Sequence, residues 1–283
     1  MKDYVELTKP RVTWLILIST GVGFWFGTSG PVSWLVLLHA ILGTALLASG
    51  TFTLNQWYER EADSKMARTR QRPLPAGRVL PSQALLFGLA LSLLGFVELY
   101  WGANALTAWL GLFTELSYLG LYTPLKQRSW HATTVGAVPG AMPPLIGFAA
   151  AAGTLSWEAW ALYAILFLWQ FPHFYAIAWM YREDYSRAGI RMLPVVEPDG
   201  ASTARQILIA SVILIPVSLL PGWLAMTGWV YLGGALLLGA LYLHAGVRVA
   251  RERTVLRARG VLMASVVYLP VLYGLMLFDP TRL

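Results

Sequence analysis

The sequence predicts an all-α membrane protein with nine transmembrane helices. Of its 283 residues, 57% are hydrophobic and only 12% are charged, whereas about a quarter of the residues are charged in an ordinary soluble domain. Nine apolar runs are long enough to cross the hydrocarbon core of a bilayer, which takes about 20 helical residues. Basic residues are also concentrated in alternate connections between these runs. Together these observations exclude a soluble globular domain.

The nine predicted spans follow one another with short connections. Gly and Pro residues interrupt the fourth and fifth runs. The first run follows three basic residues and so mimics a signal peptide, but no small-residue cleavage site accompanies it, and we interpret it as a retained span. The predicted spans are 12–28, 33–54, 82–101, 104–121, 131–151, 156–181, 203–221, 226–247 and 260–278.

Charge predicts the orientation of the chain in the membrane. Twenty of the 21 Lys and Arg residues lie before the first span or in every second connection, and the last is Arg282 at the C-terminus. The positive-inside rule then places the N-terminus in the cytoplasm and the C-terminus on the opposite side. We expect a multi-pass protein of the cytoplasmic (inner) membrane. The basic segments are 1–11, 60–78, 126–128, 182–205 and 248–259.

Composition also excludes several functions. The formal net charge of +7 would suggest nucleic acid in a soluble chain, but here it indicates basic loops beside an anionic membrane surface. We therefore expect the lipid bilayer, and no nucleic acid, as a partner. The absence of Cys excludes a disulfide scaffold, a zinc-thiolate site and a catalytic cysteine. No linker or low-complexity tract is found, so residues 1–283 are predicted to form a single domain.

A polar motif follows the second predicted span. If the helix continues beyond the bilayer, Asn55, Glu59 and Asp63 share one face, because residues four apart stack on a helix. An amide and two carboxylates form an oxygen-only site that suits Mg²⁺. Arginine side chains form paired hydrogen bonds with phosphate oxygens, so the segment predicts a diphosphate site. The alternative is a solvated helix end whose arginines only follow the positive-inside rule. The arginines that follow the motif are Arg68, Arg70 and Arg72.

This motif resembles that of a known family. The pattern N-x-x-x-E-x-x-x-D at 55–63, followed by R-T-x-x-R-P-L-P at 68–75, is similar to the first aspartate-rich motif of the UbiA superfamily of intramembrane prenyltransferases. The resemblance implies nine helices around a central cavity, with Mg²⁺ bridging acidic motifs to an isoprenoid diphosphate. Glu59 departs from the family pattern, which usually has Asp there; the charge is kept and the side chain is one methylene longer.

Two further segments are interpreted through this resemblance. The run from Tyr122 to Lys126 resembles the family's Tyr-x-x-x-Lys segment, which contacts diphosphate; an ordinary basic helix end is the alternative. The Gly- and Pro-rich stretch 136–147 lies within a predicted span. Broken helix at membrane depth is tolerated only where it is buried or lines a cavity, so we expect this stretch to be buried or to form part of a cavity wall.

The stretch 169–194 points to one branch of the superfamily. Its segments W-Q-F-P-H-F (169–174) and Y-R-E-D-Y-S-R-A-G (181–189) resemble the branch that farnesylates protoheme IX. The resemblance implies transfer of farnesyl from farnesyl diphosphate to the 2-vinyl group of haem b, with addition of water, giving haem O and diphosphate. The implied catalytic residues and Mg²⁺ ligands are Asn55, Glu59, Asp63 and Asp184. The implied substrate-binding residues are Arg68, Arg72, Tyr122, Lys126, His173, Tyr181, Arg182 and Arg187.

His173 lies deep in its predicted span, about nine residues or on the order of 13 Å of helix rise from the cytoplasmic end. A polar residue at this depth usually faces a cavity or a partner. Through the resemblance we interpret it as a contact to the porphyrin iron, a propionate or the reacting edge; a structural histidine bonded to a carbonyl freed by Pro172 is the alternative. Glu115 is a lone intramembrane acid outside the motifs. The remaining histidines are interpreted as ordinary polar residues: His39, His131 and His244.

Other functions fit parts of the pattern. A sister prenyltransferase for an aromatic acid or quinone precursor would share the diphosphate site but not the segment at 169–174. A transporter also uses broken helices, but no internal repeat is found beyond the two acidic motifs. A haem-handling assembly factor would need no diphosphate site, so the arginines at 68–72 argue against it. Candidate protein partners are a downstream haem A synthase and oxidase assembly factors.

Overall fold

The computed structural model describes residues 1–281, so Arg282 and the predicted position of the C-terminus lie outside the described residues. Within the described residues the chain is helical and contains no β-strand, apart from one isolated bridge between Thr227 and Pro280. The predicted all-α class is confirmed. In chain order the helices are α1 (Lys2–Leu7), α2 (Pro10–Gly27), α3 (Trp34–Ser64), α4 (Pro81–Gly102), α5 (Ala105–Ser117), α6 (Thr123–Leu125), α7 (Ala132–Gly140), α8 (Pro143–Ala152), α9 (Trp157–Met180), α10 (Arg182–Arg187), α11 (Leu193–Val196), α12 (Ala201–Trp223), α13 (Trp229–Arg251) and α14 (Val255–Phe278).

Seven helical segments are long and apolar enough to cross a membrane, and each corresponds to a predicted span. The first predicted span is also helical, as α2, but this helix has 18 residues and includes Pro10 and Arg11 at its start. The fourth is divided, because α5 ends at Ser117 and a π-helical turn, Tyr118–Tyr122, separates it from α6. The fifth is broken between α7 and α8, as its Gly and Pro content predicts.

The chain divides into two compact units. The first unit consists of Met1–Leu155 and Glu183–Arg191, and the second consists of Ser156–Arg182 and the chain from Met192 onward. In the second unit α9, α12, α13 and α14 pack as a ring, in which each helix contacts mainly its two neighbours.

Helix α3 carries the first polar motif and is held by α4 and α5. It continues to Ser64, so the expectation that the helix extends beyond the predicted span is confirmed. Gly50 of α3 approaches the backbone of α4 so closely that a Cβ there would lie 2.8 Å from the carbonyl oxygen of Gly88. On the same side of α4, the Ser92 hydroxyl donates to the buried Glu115 carboxyl group of α5. Glu115, the lone acid of the fourth predicted span, is thus bonded within the helix packing.

Glycines also allow α2 and α8 to approach closely. A Cβ at Gly23 of α2 would overlap the carbonyl of Pro144, and a Cβ at Gly147 of α8 would overlap the carbonyl of Thr20. Small residues at helix contacts are the usual means of close packing in membranes, where hydrophobic burial gives little driving force between helices. All residues of α8 from Pro143 to Ala150 are buried, so this broken span lies in the interior of the first unit.

In the second unit, tyrosine hydroxyls of α13 donate to backbone carbonyls of α9 and α12. The carbonyl groups of Trp169 and Ser218 each lie three residues before a proline inside a helix. The hydroxyl of Tyr242 donates to the first at 3.2 Å, and that of Tyr231 donates to the second at 2.7 Å. Such partners matter because water is absent from the bilayer core and an unpaired backbone group there is costly.

The α2–α8 contact gives a first prediction. We expect Gly23→Ala to lower the thermal unfolding midpoint in detergent, corresponding to a loss of about 1–3 kcal/mol, the usual cost of adding a methyl group to a tightly packed contact. Gly21→Ala is the matched control, because it lies on the same helix and a Cβ there meets no atom within 4 Å. Equal melting of the two variants would contradict the close contact.

Candidate active site

The polar motif of α3 faces the interior of the first unit. Asn55 and Asp63 are each 1% exposed, and the side chain of Glu59 is 11% exposed. The Asn55 amide donates to Glu59 Oε2 at 3.0 Å and to Thr123 Oγ1 at 3.2 Å. The alternative of a solvated helix end predicts exposed side chains, so this arrangement argues against it.

Each carboxylate of this motif is paired with a cation. Lys126 Nζ lies 2.8 Å from Glu59 Oε1, and Arg72 Nη1 lies 2.7 Å from Asp63 Oδ2. Lys126 also lies over the ring of Tyr122, 4.4 Å from its centroid. Burial by itself lowers the pKa of Lys126, but the charges of Glu59 and Tyr122 raise that pKa well above its usual value. Lys126 is therefore a permanent cation beside the motif.

The second acidic segment folds onto the same unit. The backbone N–H of Arg191 donates to the carbonyl oxygen of Lys126 at 2.8 Å. The backbone N–H of Ala67 donates to Asp184 Oδ1 at 3.4 Å, and Arg187 pairs with the same carboxylate.

The first arginine of the basic cluster also contacts this segment. Arg68 Nη2 donates to the Tyr185 hydroxyl at 3.2 Å. The two acidic motifs, which are more than a hundred residues apart in the chain, are therefore joined by the loop that begins at residue 65. The predicted residues brought together in the first unit are Asn55, Glu59, Asp63, Arg68, Arg72, Tyr122, Lys126, Asp184 and Arg187.

Lys9, which the motifs of the sequence did not indicate, also belongs to this cluster. Its backbone lies in the left-handed region, with φ 47° and ψ 60°, at the junction of α1 and α2. Its Nζ lies 3.4 Å from Asn55 Oδ1. Burial, followed by the charges of Arg72 and Lys126, lowers the pKa of Lys9 to about 7. The sequence indicated only that a helix could begin at Pro10, directly after Lys9, because Pro is common at the first position of a helix.

The oxygen donors of the cluster fit a hard divalent cation in their chemistry. They are one amide and three carboxylates, without thiolate or imidazole, which is the donor set that Mg²⁺ prefers. In residues 1–281, however, no group of three or more acidic, His or Cys side chains is close enough to hold a metal ion. The carboxylates stand beside Lys and Arg instead, and their role as metal ligands stays a prediction.

The other three predicted residues lie in the second unit. His173 Nδ1 is 2.8 Å from Ser265 Oγ, so its hydrogen bond goes to a side chain and not to a carbonyl freed by Pro172. Arg182 donates to the carbonyl oxygen of Trp179 at 3.1 Å and lies over the Trp179 ring. Tyr181 caps the C-terminus of α9 and is partly exposed.

The model of the UbiA prenyltransferase family matches residues 16–269. The chain belongs to this family. It is therefore a membrane prenyltransferase, as the motifs at 55–75 predicted.

Three curated relatives carry the name protoheme IX farnesyltransferase. The protein of Solibacter usitatus is 65% identical, with 99% of both chains covered. That of Koribacter versatilis is 46% identical over 99% of this chain and 94% of its own. That of Salinibacter ruber is 46% identical over 98% of both chains.

Two solved structures show the same fold. Digeranylgeranylglyceryl phosphate synthase superposes with a TM-score of 0.83 at 19% identity, covering 100% of this chain and 99% of the other. A UbiA homologue from Archaeoglobus fulgidus, bound to GPP and Mg²⁺, gives a TM-score of 0.66 at 16% identity, covering 97% and 99%. The predicted UbiA-like fold is confirmed.

The position of Lys9 gives a second prediction. We expect Lys9→Met to weaken the binding of inorganic pyrophosphate, measured by calorimetry with Mg²⁺ present, by about 10-fold or more, because a hydrogen bond from a charged donor contributes about 1.5–3 kcal/mol. Lys2→Met is the control, since Lys2 is exposed in the same N-terminal segment. Unchanged affinity in Lys9→Met would show that this lysine takes no part in anion binding.

Proposed function

We propose that this protein transfers a farnesyl group from farnesyl diphosphate to the 2-vinyl group of haem b, giving haem O and diphosphate. The observation that carries the proposal is the 65% identity, over nearly the whole chain, to a relative named protoheme IX farnesyltransferase. The segments at 169–174 and 181–189, which resemble that branch, support the same acceptor. Haem O then serves the biogenesis of haem-copper oxidases.

The first unit would bind the diphosphate. Asn55, Glu59, Asp63 and Asp184 are the residues proposed to hold Mg²⁺, which, when bound, neutralises charge on the leaving diphosphate. The Mg²⁺ and GPP of the Archaeoglobus fulgidus structure support this assignment by analogy. Around Glu59 and Asp63 stand the cations Lys9, Arg72 and Lys126.

Arg72 and Lys126 balance the two carboxylates of α3, and Lys9, whose pKa is about 7, adds further positive charge when it is protonated, so the cluster favours a polyanion. Stabilising the charge that develops on a departing group is the largest catalytic contribution available without a covalent intermediate. Arg68 and Arg187 are proposed to share this charge from the neighbouring loop and from α10.

The carbon–oxygen bond of farnesyl diphosphate breaks with its electron pair on the diphosphate. The vinyl π-bond supplies the electrons of the new carbon–carbon bond, and positive charge passes to the carbon next to the porphyrin. Water adds there and releases a proton, which leaves the hydroxyl of haem O. No protein nucleophile is needed. An aromatic face would stabilise the allylic cation by cation–π contact, and the candidates from the sequence are Tyr58, Trp169, Phe174 or Tyr181.

We also propose nine membrane spans, with the N-terminus in the cytoplasm and the protein in the cytoplasmic membrane. The two spans beyond the seven long apolar helices would be α2 and the segment from α5 to α6, which are helical and apolar. The family match takes in residues of both units, so we treat residues 1–283 as one catalytic domain. Haem A synthase and oxidase assembly factors remain the proposed protein partners.

A direct assay tests the proposed function. Purified protein incubated with haem b, farnesyl diphosphate and Mg²⁺ should form haem O, detected by its mass. An aromatic acid offered in place of haem b should yield no prenylated product. Formation of a prenylated aromatic acid without haem O would indicate the sister activity, and no product from either acceptor would contradict the proposal.

The same assay tests the metal ligands. We expect Asp63→Ala and Asp184→Ala to lower the rate of haem O formation by at least about 100-fold, the scale seen when one electrostatic contact to a developing charge is lost. Glu61→Ala is the control, because the Glu61 side chain lies on the same helix as Asp63 and is 85% exposed. Near-normal rates in both aspartate variants with Mg²⁺ present would show that the metal assignment is wrong.

A further inference from the structure

One buried serine in the second unit holds two aromatic residues of α9. The Ser265 side chain and backbone lie on α14, and the residue is 0% exposed. Its carbonyl oxygen accepts a hydrogen bond from Trp169 Nε1 at 2.9 Å, and its Oγ lies 2.8 Å from His173 Nδ1. Trp169 and His173 are four residues apart, and their rings stack with centroids 4.8 Å apart. The imidazole is therefore fixed by a hydrogen bond and by a stacked ring.

The hydrogen bonds of Ser265 determine which imidazole nitrogen carries the proton. A serine hydroxyl has one proton to donate, and Ser265 Oγ donates it to the carbonyl oxygen of Leu262 at 2.6 Å. The contact with His173 must then be donated by the imidazole, so we assign the proton of the neutral ring to Nδ1. Nε2 is left with an unshared electron pair.

The structure also leaves Nε2 without a protein partner among the described residues. Among residues 1–281 it forms no hydrogen bond, and the side chain of His173 is only partly buried. Phe174, which packs edge-on against the imidazole, is 38% exposed. The protein therefore does not fully enclose the imidazole, and neither contact that fixes the ring uses Nε2.

This tautomer distinguishes among the three porphyrin contacts left open by the sequence. A nitrogen with an unshared pair cannot donate to a propionate carboxylate, and the vinyl edge offers no acidic proton for it to accept. It can bind iron, because the neutral imidazole nitrogen is the form that ligates metals. Histidine ligands usually donate their other N–H to a fixed acceptor, which orients the ring, and Ser265 is such an acceptor.

We propose that His173 binds the iron of the acceptor haem through Nε2 and that Ser265 is the positioning residue that fixes its tautomer and orientation. The inference rests on the proposed function, because it states how the acceptor is held. Trp169 supports the same ring from its stacked face. Iron ligation would anchor the porphyrin by its centre and leave the vinyl edge free to react.

The test compares binding of haem b with binding of metal-free protoporphyrin IX to the purified full-length protein. The unsubstituted protein should prefer haem b and show the absorption and electron paramagnetic resonance signals of a nitrogen-ligated iron. His173→Ala should lose those signals and the preference, while its affinity for metal-free protoporphyrin IX stays within about 2-fold. His244→Ala is the control, since His244 is exposed in the same unit.

Three further variants distinguish a positioning role for Ser265 from a purely structural one. Ser265→Ala should weaken haem b binding by about 10–100-fold, the usual effect of removing the partner of a histidine ligand, and Ser265→Thr should restore it. His173→Gly with added imidazole should regain the nitrogen-ligated spectrum, which covers the case in which His173→Ala does not fold. The inference is overturned if the His173 variants bind both porphyrins like the unsubstituted protein, or lose both equally.

Haem O formation, measured in parallel, distinguishes this inference from the proposed function. If the protein makes haem O but His173→Gly keeps the iron signals unaltered, the proposed iron ligation is wrong and the proposed reaction stands. Iron signals that depend on His173 in a protein that makes no haem O overturn the proposed reaction and leave the ligation standing.

Discussion

The buried carboxylates of α3 are the constraint on which the first unit depends. A charge removed from water is costly unless an opposite charge accompanies it, and Asp63 is 1% exposed. Its partner, Arg72, comes from the loop after α3, and the partner of Glu59, Lys126, comes from the end of α6. The carbonyl oxygen of Lys126 in turn accepts a hydrogen bond from the backbone N–H of Arg191, which lies in the segment that carries Asp184. Charge pairing thus joins distant parts of the chain into one cluster.

At the junction of α1 and α2 that cluster gains a further basic group, Lys9, beside Arg72 and Lys126. Lys9 is placed there by a left-handed backbone conformation, which for a residue with a side chain costs about 1–3 kcal/mol and is maintained only where the surroundings enforce it. A polyanionic ligand relieves the repulsion among the cations. The arrangement therefore suits a diphosphate better than it suits the protein without one.

The second unit depends on hydrogen bonds between its helices. The tyrosine hydroxyls of α13 donate to backbone carbonyl oxygens of α9 and α12, and the imidazole of His173 is held by Ser265. The sequence predicted His173 as a porphyrin contact, with a hydrogen bond to a carbonyl freed by Pro172 as the alternative, and neither interpretation identified Ser265 as its partner. Ser265 lies 92 residues away, and no periodicity within α9 could identify a residue on another helix. The division of the fourth span by a π-helical turn was indicated only by the Gly and Pro content of that run.

The sequence by itself determined the all-α membrane class, seven of the spans, the helical face shared by Asn55, Glu59 and Asp63, and the family. These properties follow from hydrophobicity, local periodicity and motif, all of which are local in the chain. Only the tertiary structure decided which cation pairs with which carboxylate, that Lys9 joins them and that Ser265 orients His173. Each of these contacts joins residues from separate elements of the fold, and their distances depend on how helices pack, which spacing along a chain does not encode.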